Sequence, residues 1–202
     1  MITVIDYSVG NIRSVCNALD NIGCENRLSN LPEDIRNSDG IILPGVAAFG
    51  YAMNALGEDC GELLKEEADK GKPLLGICSG YQVLFDSSTE LGFNRGLEMI
   101  QGTVERLPEG LIIPHMGWNK VRINPDIPLL EGFGEEEYFY FAHSYYALLS
   151  DEKAESAMTE YGRTDVLACV QKDNIFGLQF HPEKSSGLGM KVLENFEKIC
   201  RS

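Results

Sequence analysis

Apolar residues return along the first half of the chain in two alternating rhythms. Ile2-Thr3-Val4-Ile5 is a β-branched run closed by Asp6-Tyr7-Ser8-Val9-Gly10-Asn11, after which Ile12, Val15, Cys16, Leu19 and Ile22 recur at helical spacing up to Gly23. These rhythms predict a strand, a loop and an amphipathic helix. A second strand fits around Cys24 to Leu28, and a third at Gly40-Ile41-Ile42-Leu43, whose unbroken apolar character suits the centre of a parallel sheet. Ala52 to Lys70 reads as helical, with a break near Gly57 to Gly61 and with Glu62, Glu66, Glu67 and Asp69 toward solvent. Lys72 to Phe85 reads as a short buried strand running into a helix. Asp86 to Gly96 is polar and reads as a loop, Met99 to Leu107 as a strand, and Tyr138 to Tyr145 as an aromatic strand. Asp165 to Gln171 and Ile175 to Phe180 form a hairpin through Lys172-Asp173-Asn174, and Gly187 to Cys200 closes the chain as a helix with Met190, Leu193, Phe196 and Ile199 on one face. Alternation of this kind predicts an α/β protein built on an open, mostly parallel sheet flanked by helices.

Composition narrows the class. The 202 residues suit a single domain, 1–202, with a full-sized core, and 44% hydrophobic content is ordinary for a globular protein. A formal net charge of −14 argues against nucleic-acid or anionic-membrane surfaces, which want clustered Lys and Arg. The first residues lack the basic start and apolar run of a signal peptide, and no apolar run reaches membrane-spanning length, so a cytosolic chain is expected. Six cysteines, at 16, 24, 60, 78, 169 and 200, show no metal-like spacing or disulfide framework, and five read as buried or incidental thiols. With neither a Walker A loop nor a Gly-x-Gly-x-x-Gly, no metal, nucleotide or other cofactor is expected.

The sixth cysteine carries the chemistry. Gly76-Ile77-Cys78-Ser79-Gly80 at the strand-to-helix junction repeats the Gly-x-Ser-x-Gly nucleophile elbow with sulfur in place of oxygen. Small residues flank such a nucleophile because side chains would collide, and the next backbone N–H faces an oxyanion hole. A base must come from His115, His143 or His181. Phe180-His181-Pro182-Glu183 presents an imidazole and a carboxylate two residues apart at a strand end, so Cys78, His181 and Glu183 form the natural triad. His143, at the end of the aromatic strand, is the competitor for the base. The Pro44-Gly45-Val46-Ala47 segment reads either as a simple turn or as a strand-end loop whose backbone approaches a ligand.

The elbow, the His-Pro-Glu end, Leu43-Pro44-Gly45-Val46 and the Asp6 to Asn11 loop together resemble the class I, triad-type glutamine amidotransferases. Pro114-His115-Met116-Gly117-Trp118-Asn119 and the Tyr138 to Tyr145 segment are similar to the glutaminase subunit of imidazole glycerol phosphate synthase. The resemblance implies a flavodoxin-like fold, Cys78 as nucleophile on glutamine, His181 as base and Glu183 as its orienting partner. It implies oxyanion donors at Ser79 and in the Val46–Ala47 region, and a glutamine pocket at Gly45, Gln82, His143, Ser144 and Tyr145. It further implies a partner, a (βα)₈ cyclase subunit in a heterodimer, with Asn11, Trp118, Tyr140 and Lys184 near the interface and His115 and Trp118 on the partner-facing side. Ammonia would pass to that partner, giving imidazole glycerol phosphate and the aminoimidazole carboxamide nucleotide in histidine biosynthesis. Two departures from the family pattern appear: Ala47 stands where glycine is usual, and Ser79-Gly80-Tyr81 where Leu-Gly-Met is usual. Three alternatives stay open: the glutaminase of a related synthase that amidinates a sugar, a cysteine hydrolase of other amides, and a non-catalytic binding subunit of the same fold.

Overall fold

The computed structural model describes residues 1–8 and 10–202; Val9, in the loop after the first strand, lies outside the described residues. β1 (Ile2–Ile5) leads through α1 (Ile12–Asn21) to β2 (Asn26–Ser29), and α2 (Pro32–Asn37) leads to β3 (Gly40–Leu43). α3 (Phe49–Leu56) and α4 (Glu58–Asp69) precede β4 (Leu74–Ile77), which runs into the single-turn α5 (Ser79–Gln82). Then come β5 (Phe85–Ser88), β6 (Asn94–Arg95), β7 (Ile100–Arg106), β8 (His115–Arg122), β9 (Glu136–His143) and β10 (Tyr145–Leu149). β11 (Glu155–Tyr161), β12 (Thr164–Lys172), β13 (Ile175–Leu178) and α6 (Ser186–Cys200) complete the chain.

The main sheet has the order β2-β1-β3-β4-β13-β12-β11-β8-β9. Its first five strands are parallel, and antiparallel pairing begins at β13–β12 and continues to β9. Strands β1, β3 and β4 are buried on both faces, as their apolar sequences require. One face packs Ile12, Val15 and Leu19 of α1 and Val192, Leu193 and Phe196 of α6; the other packs Ala52 and Leu56 of α3 and Leu64 and Ala68 of α4. The helical stretch breaks at Gly57, whose φ of +75° is left-handed, so conformation rather than crowding calls for glycine there.

Several expectations are corrected. The Asp86 to Gly96 stretch holds most of β5 and all of β6, which join β7 and β10 in a second sheet of order β10-β7-β5-β6. Its polar sequence hid the strands because β6 is only two residues long and β5 has two half-exposed positions. The aromatic strand ends at His143, and Tyr145 begins β10 in the other sheet, so the chain changes sheets at Ser144. Glu67 does not face solvent: it is 4% exposed and bonds Lys70 and Lys72 at 2.7 Å each, which compensates its burial.

A buried ion pair ties the two sheets. Lys172, at the end of β12, reaches Asp151 at 2.8 Å and donates to the Met99 carbonyl at 3.0 Å, while Asp151 accepts the backbone N–H groups of Gln101 and Lys153. Hydrogen bonding to Lys172 holds the Asp151 carboxyl below the usual carboxylate range. A depressed folded-state value means the stabilisation is present above the unfolded carboxylate pKa of about 4 and is lost as pH falls through the lower folded value. Asp151→Asn is therefore expected to lower stability at pH 7 by about 1–3 kcal/mol, reduced from the fully buried case by the partial exposure of Lys172. Urea unfolding at pH 7 and below pH 3 checks this: the gap between wild type and variant should close in acid, and equal stabilities at pH 7 would remove the pair from the fold's support.

Candidate active site

Cys78 sits between β4 and α5 with φ 53° and ψ −110°, a strained conformation for a residue with a side chain. Its backbone N–H donates to the Leu178 carbonyl at 2.7 Å, so the turn is anchored on β13 rather than on its own helix. Glycines flank it for lack of room. A Cβ on Gly76 would lie 2.7 Å from the Gly80 carbonyl oxygen, and one on Gly80 would run into the Leu43 carbonyl. The first N–H groups of α5, beginning with Ser79, have no partner within the helix, which starts directly after Cys78.

His181 and Glu183 lie behind the cysteine. His181 Nδ1 is 2.8 Å from Glu183 Oε1, and both side chains are almost wholly buried. Burial opposes a charge on the imidazole, but the neighbouring Cys78 sulfur and the hydrogen-bonded Glu183 carboxylate outweigh it and push its pKa up to about 9. Nε2, the nitrogen turned away from the carboxylate, makes no hydrogen bond among the described residues. Asn11, expected at the partner surface, is half-buried at the start of α1 and has Nδ2 3.4 Å from Glu183 Oε1.

A cavity of about 270 Å³ opens on Cys78 and is lined by Val46, Ala47 and Ser79, by Gln82 and Glu90, by Pro114 and Met116, and by Ala142, His143, Ser144 and Tyr145. All the expected pocket residues are there except Gly45, which packs against the elbow, where a Cβ would meet Ser79 Oγ. Larger hollows of about 580 and 700 Å³ lie elsewhere and touch none of the triad. Glu90 is the residue that the sequence reading missed. It is the one carboxylate in the lining, and its Oε2 accepts the Phe49 N–H at 2.7 Å. Its position in a polar stretch read as loop carried no signal.

The two departures from the family pattern meet: the Ala47 N–H donates to Ser79 Oγ at 3.2 Å. Among the described residues the Val46 N–H has no backbone partner. His143 holds both ring nitrogens in hydrogen bonds, Nδ1 to the Tyr145 carbonyl at 2.8 Å and Nε2 to His115 Nδ1 at 2.9 Å. Burial, then the neighbouring His115, lowers its pKa to about 3, and burial lowers that of His115 to about 4. His115 is thus an inward-facing residue, not a partner-facing one, because strand alternation on β8 turns it into the core and turns Trp118 outward, 51% exposed. Trp118, Tyr140 and Lys184 lie together, with Trp118 edge-on to Tyr140 at 6.2 Å and Lys184 Nζ 5.9 Å from the Tyr140 ring.

A buried imidazole–carboxylate pair behind a cysteine on a strained elbow can support acyl transfer through a thioester. Comparison with known proteins points the same way. Residues 3–199 match the family described as glutamine amidotransferase class-I. The whole chain is 48% identical to the imidazole glycerol phosphate synthase subunit HisH of Bacillus cereus over 96% of that protein. It is 47% identical to the HisH of Methanothermobacter thermautotrophicus over 100% of both chains. Among solved structures, PurLQS from Thermotoga maritima shares the fold at 24% identity, with a TM-score of 0.77 over 96% of each chain. A structure described as a glutamine amidotransferase does so at 18% identity, with a TM-score of 0.74 over 100% of this chain and 99% of that one. The chain belongs to the class-I glutamine amidotransferase family and, within it, to the HisH subunits of imidazole glycerol phosphate synthase.

Proposed function

We propose that this chain is the glutaminase subunit of an imidazole glycerol phosphate synthase. The observation that carries the chemistry is the strained Cys78 at the floor of an amino-acid-sized cavity, backed by the buried His181–Glu183 pair. The shared subunit identity of the 44–48% identical relatives favours this over a sugar-amidinating synthase. The Cys78 sulfur attacks the side-chain amide carbon of glutamine, forming a C–S bond and a tetrahedral oxyanion. His181 carries the thiol proton to the leaving nitrogen, the C–N bond breaks, and ammonia departs. Water, deprotonated by His181, then cleaves the thioester, returning the thiol and releasing glutamate. Glu183 orients His181 and steadies its charge. His143 is unsuited to the base role because both its nitrogens are engaged and burial resists the charge it would gain on taking a proton.

Gln82, Ser144 and Tyr145 line the space for the α-amino and α-carboxylate groups, and Glu90 supplies the negative charge that an α-ammonium requires. The Trp118–Tyr140–Lys184 cluster suits the docking face for a (βα)₈ cyclase in a cytosolic heterodimer, which would use the ammonia to make imidazole glycerol phosphate and the aminoimidazole carboxamide nucleotide in histidine biosynthesis. The Ser79 N–H is one oxyanion donor. The second comes from Val46–Ala47, where the Ala47 N–H is engaged by Ser79 Oγ. That engagement would hold the isolated chain at low activity until the partner reshapes the loop.

The triad is tested first. Cys78→Ala should abolish glutamine-dependent synthesis by the complex while leaving synthesis from added ammonia intact; equal loss of both would overturn the division of labour. His181→Asn should lower glutaminase turnover by about 10²–10⁴-fold and His143→Asn by less, the reverse ranking moving the base to His143. Since the raised His181 value keeps the imidazolium of the free protein populated up to about pH 9, kcat/KM should fall as pH rises through that region, and Glu183→Gln should shift the fall to lower pH. Glu90→Gln is expected to raise KM for glutamine about fivefold, equivalent to ~1 kcal/mol for a partly solvated ion pair, with kcat little changed. An unchanged KM would remove Glu90 from the pocket's recognition. Ser79→Ala frees the Ala47 N–H and should raise glutamate release by the isolated chain by up to about 10²-fold, the worth of one oxyanion donor, with the partner-stimulated rate nearly unchanged. A basal rate equal to wild type would refute the restraint.

A further inference from the structure

Gln179 follows β13, is 0% exposed, and takes no part in the steps above. Its Nε2 lies 3.9 Å from Cys78 Sγ, and its Oε1 accepts from Gln82 Nε2 at 3.0 Å. Which end of a buried amide faces a neighbour is fixed by its partners, and here the partners run unbroken to β8. The Tyr145 carbonyl can only accept, so both Gln82 Nε2, at 2.9 Å, and His143 Nδ1, at 2.8 Å, must donate to it. Neutral His143 then accepts at Nε2, which requires the hydrogen of His115 on Nδ1, 2.9 Å away. His115 accepts in turn at Nε2 from the Asn119 amide at 3.2 Å, and Asn119 is itself oriented by donating to the Glu160 carbonyl and accepting the Lys120 N–H. Every link has one direction. A proton added to either imidazole would set two N–H groups face to face, and burial already keeps both rings neutral. His115 cannot turn aside, because its ring is stacked between Phe141 at 4.7 Å and Tyr161 at 3.9 Å.

We propose that Gln179 is a positioning residue for the Cys78 nucleophile: its amide N–H, aimed by Gln82 and, through it, by the Tyr145 carbonyl, holds the sulfur and favours the thiolate. An N–H donor binds an anionic sulfur more strongly than a neutral one, since hydrogen bonds to charged groups are roughly twice as strong. Unlike His181, the amide has no proton to exchange, so it serves each step in which the sulfur carries charge: attack on the amide and departure from the thioester. The inference rests on Cys78 as nucleophile, as read above.

The test is the pH dependence of Cys78 alkylation by iodoacetamide in the full chain, followed by mass spectrometry of the Cys78 peptide because five other cysteines are present. His181 and Glu183 behind the sulfur, Tyr7 beside the elbow, and Glu90 and His143 across the cavity stay in every variant, so the difference reports the amide. Gln179→Met should move the alkylation midpoint up by about one pH unit, the size expected for one lost hydrogen bond to a charged group. It should also lower kcat for glutamine about tenfold with KM unchanged. Gln82→Met should move the midpoint the same way by less, since it frees the Gln179 amide to flip. Coincident midpoints for wild type and folded Gln179→Met overturn the proposal; if that variant does not fold, an unchanged midpoint in Gln82→Met does so. Alkylation needs neither glutamine nor a partner. A failed glutaminase reading would therefore appear as wild-type protein that leaves glutamine intact while the midpoint difference persists.

Discussion

The parallel pairing of β4 with β13 fixes the relation between the nucleophile and the residues that act on it. Ile77 lies opposite Leu178, and the Cys78 N–H continues the ladder onto the Leu178 carbonyl at 2.7 Å. That last bond holds the cysteine in its left-handed conformation, which would otherwise relax, and it sets Gln179 and His181 just beyond the partner strand's end. Side chains alternate along a strand, so a slip of one residue would turn Gln179 away from the sulfur. The register is guarded by packing as well as by hydrogen bonds. Tyr81, fully buried, passes over Gly177, where any Cβ would strike its ring, and Gly76 sits under the backbone of Tyr81.

A second constraint fastens the His-Pro-Glu turn to β9. The His181 N–H donates to the Tyr140 carbonyl at 2.9 Å, the Tyr140 N–H donates to Ser185 Oγ at 3.0 Å, and the Ser185 hydroxyl donates to the His181 carbonyl at 2.6 Å. These three bonds close a ring that fully buried Ser185 completes. Tyr140 therefore has its backbone on the triad histidine and its ring in the surface cluster with Trp118 and Lys184. The same strand ends in His143 at the cavity wall, so one β-strand touches the base, the pocket and the exposed aromatic face.

Strain and restraint are concentrated on the side of the cavity where the elbow meets the Pro44–Ala47 loop. Cys78 is held at positive φ, the glycines around it have no room for side chains, and Tyr7 donates its hydroxyl to the Pro44 carbonyl behind the loop. Ala47 and Ser79, both unusual for the family, make their hydrogen bond there. Each substitution alone would be hard to interpret; together they form one contact between the two backbone segments expected to supply the oxyanion donors.

Much of this was legible in the chain itself. The β-branched runs at Ile2–Ile5 and Gly40–Leu43, the helical periodicity of α1 and α6, and the small residues around Cys78 are local patterns with local causes, and they determined the α/β class and the elbow. His181 and Glu183 could be paired because they lie two residues apart. The sequence could not determine what depends on long-range pairing. The second sheet rests on short, polar strands whose partners lie elsewhere in the chain, and Glu67 reads as solvated until Lys70 and Lys72 close on it. His115 faces inward because β8 pairs with β9 in a register that sets it opposite His143, and Glu90 reaches the cavity only because the β5–β6 loop folds over the start of α3. The same holds for Gln179: its burial could be guessed from a strand end, but the direction of its amide is set through Gln82 by the Tyr145 carbonyl, and only the folded protein brings these three separated segments together.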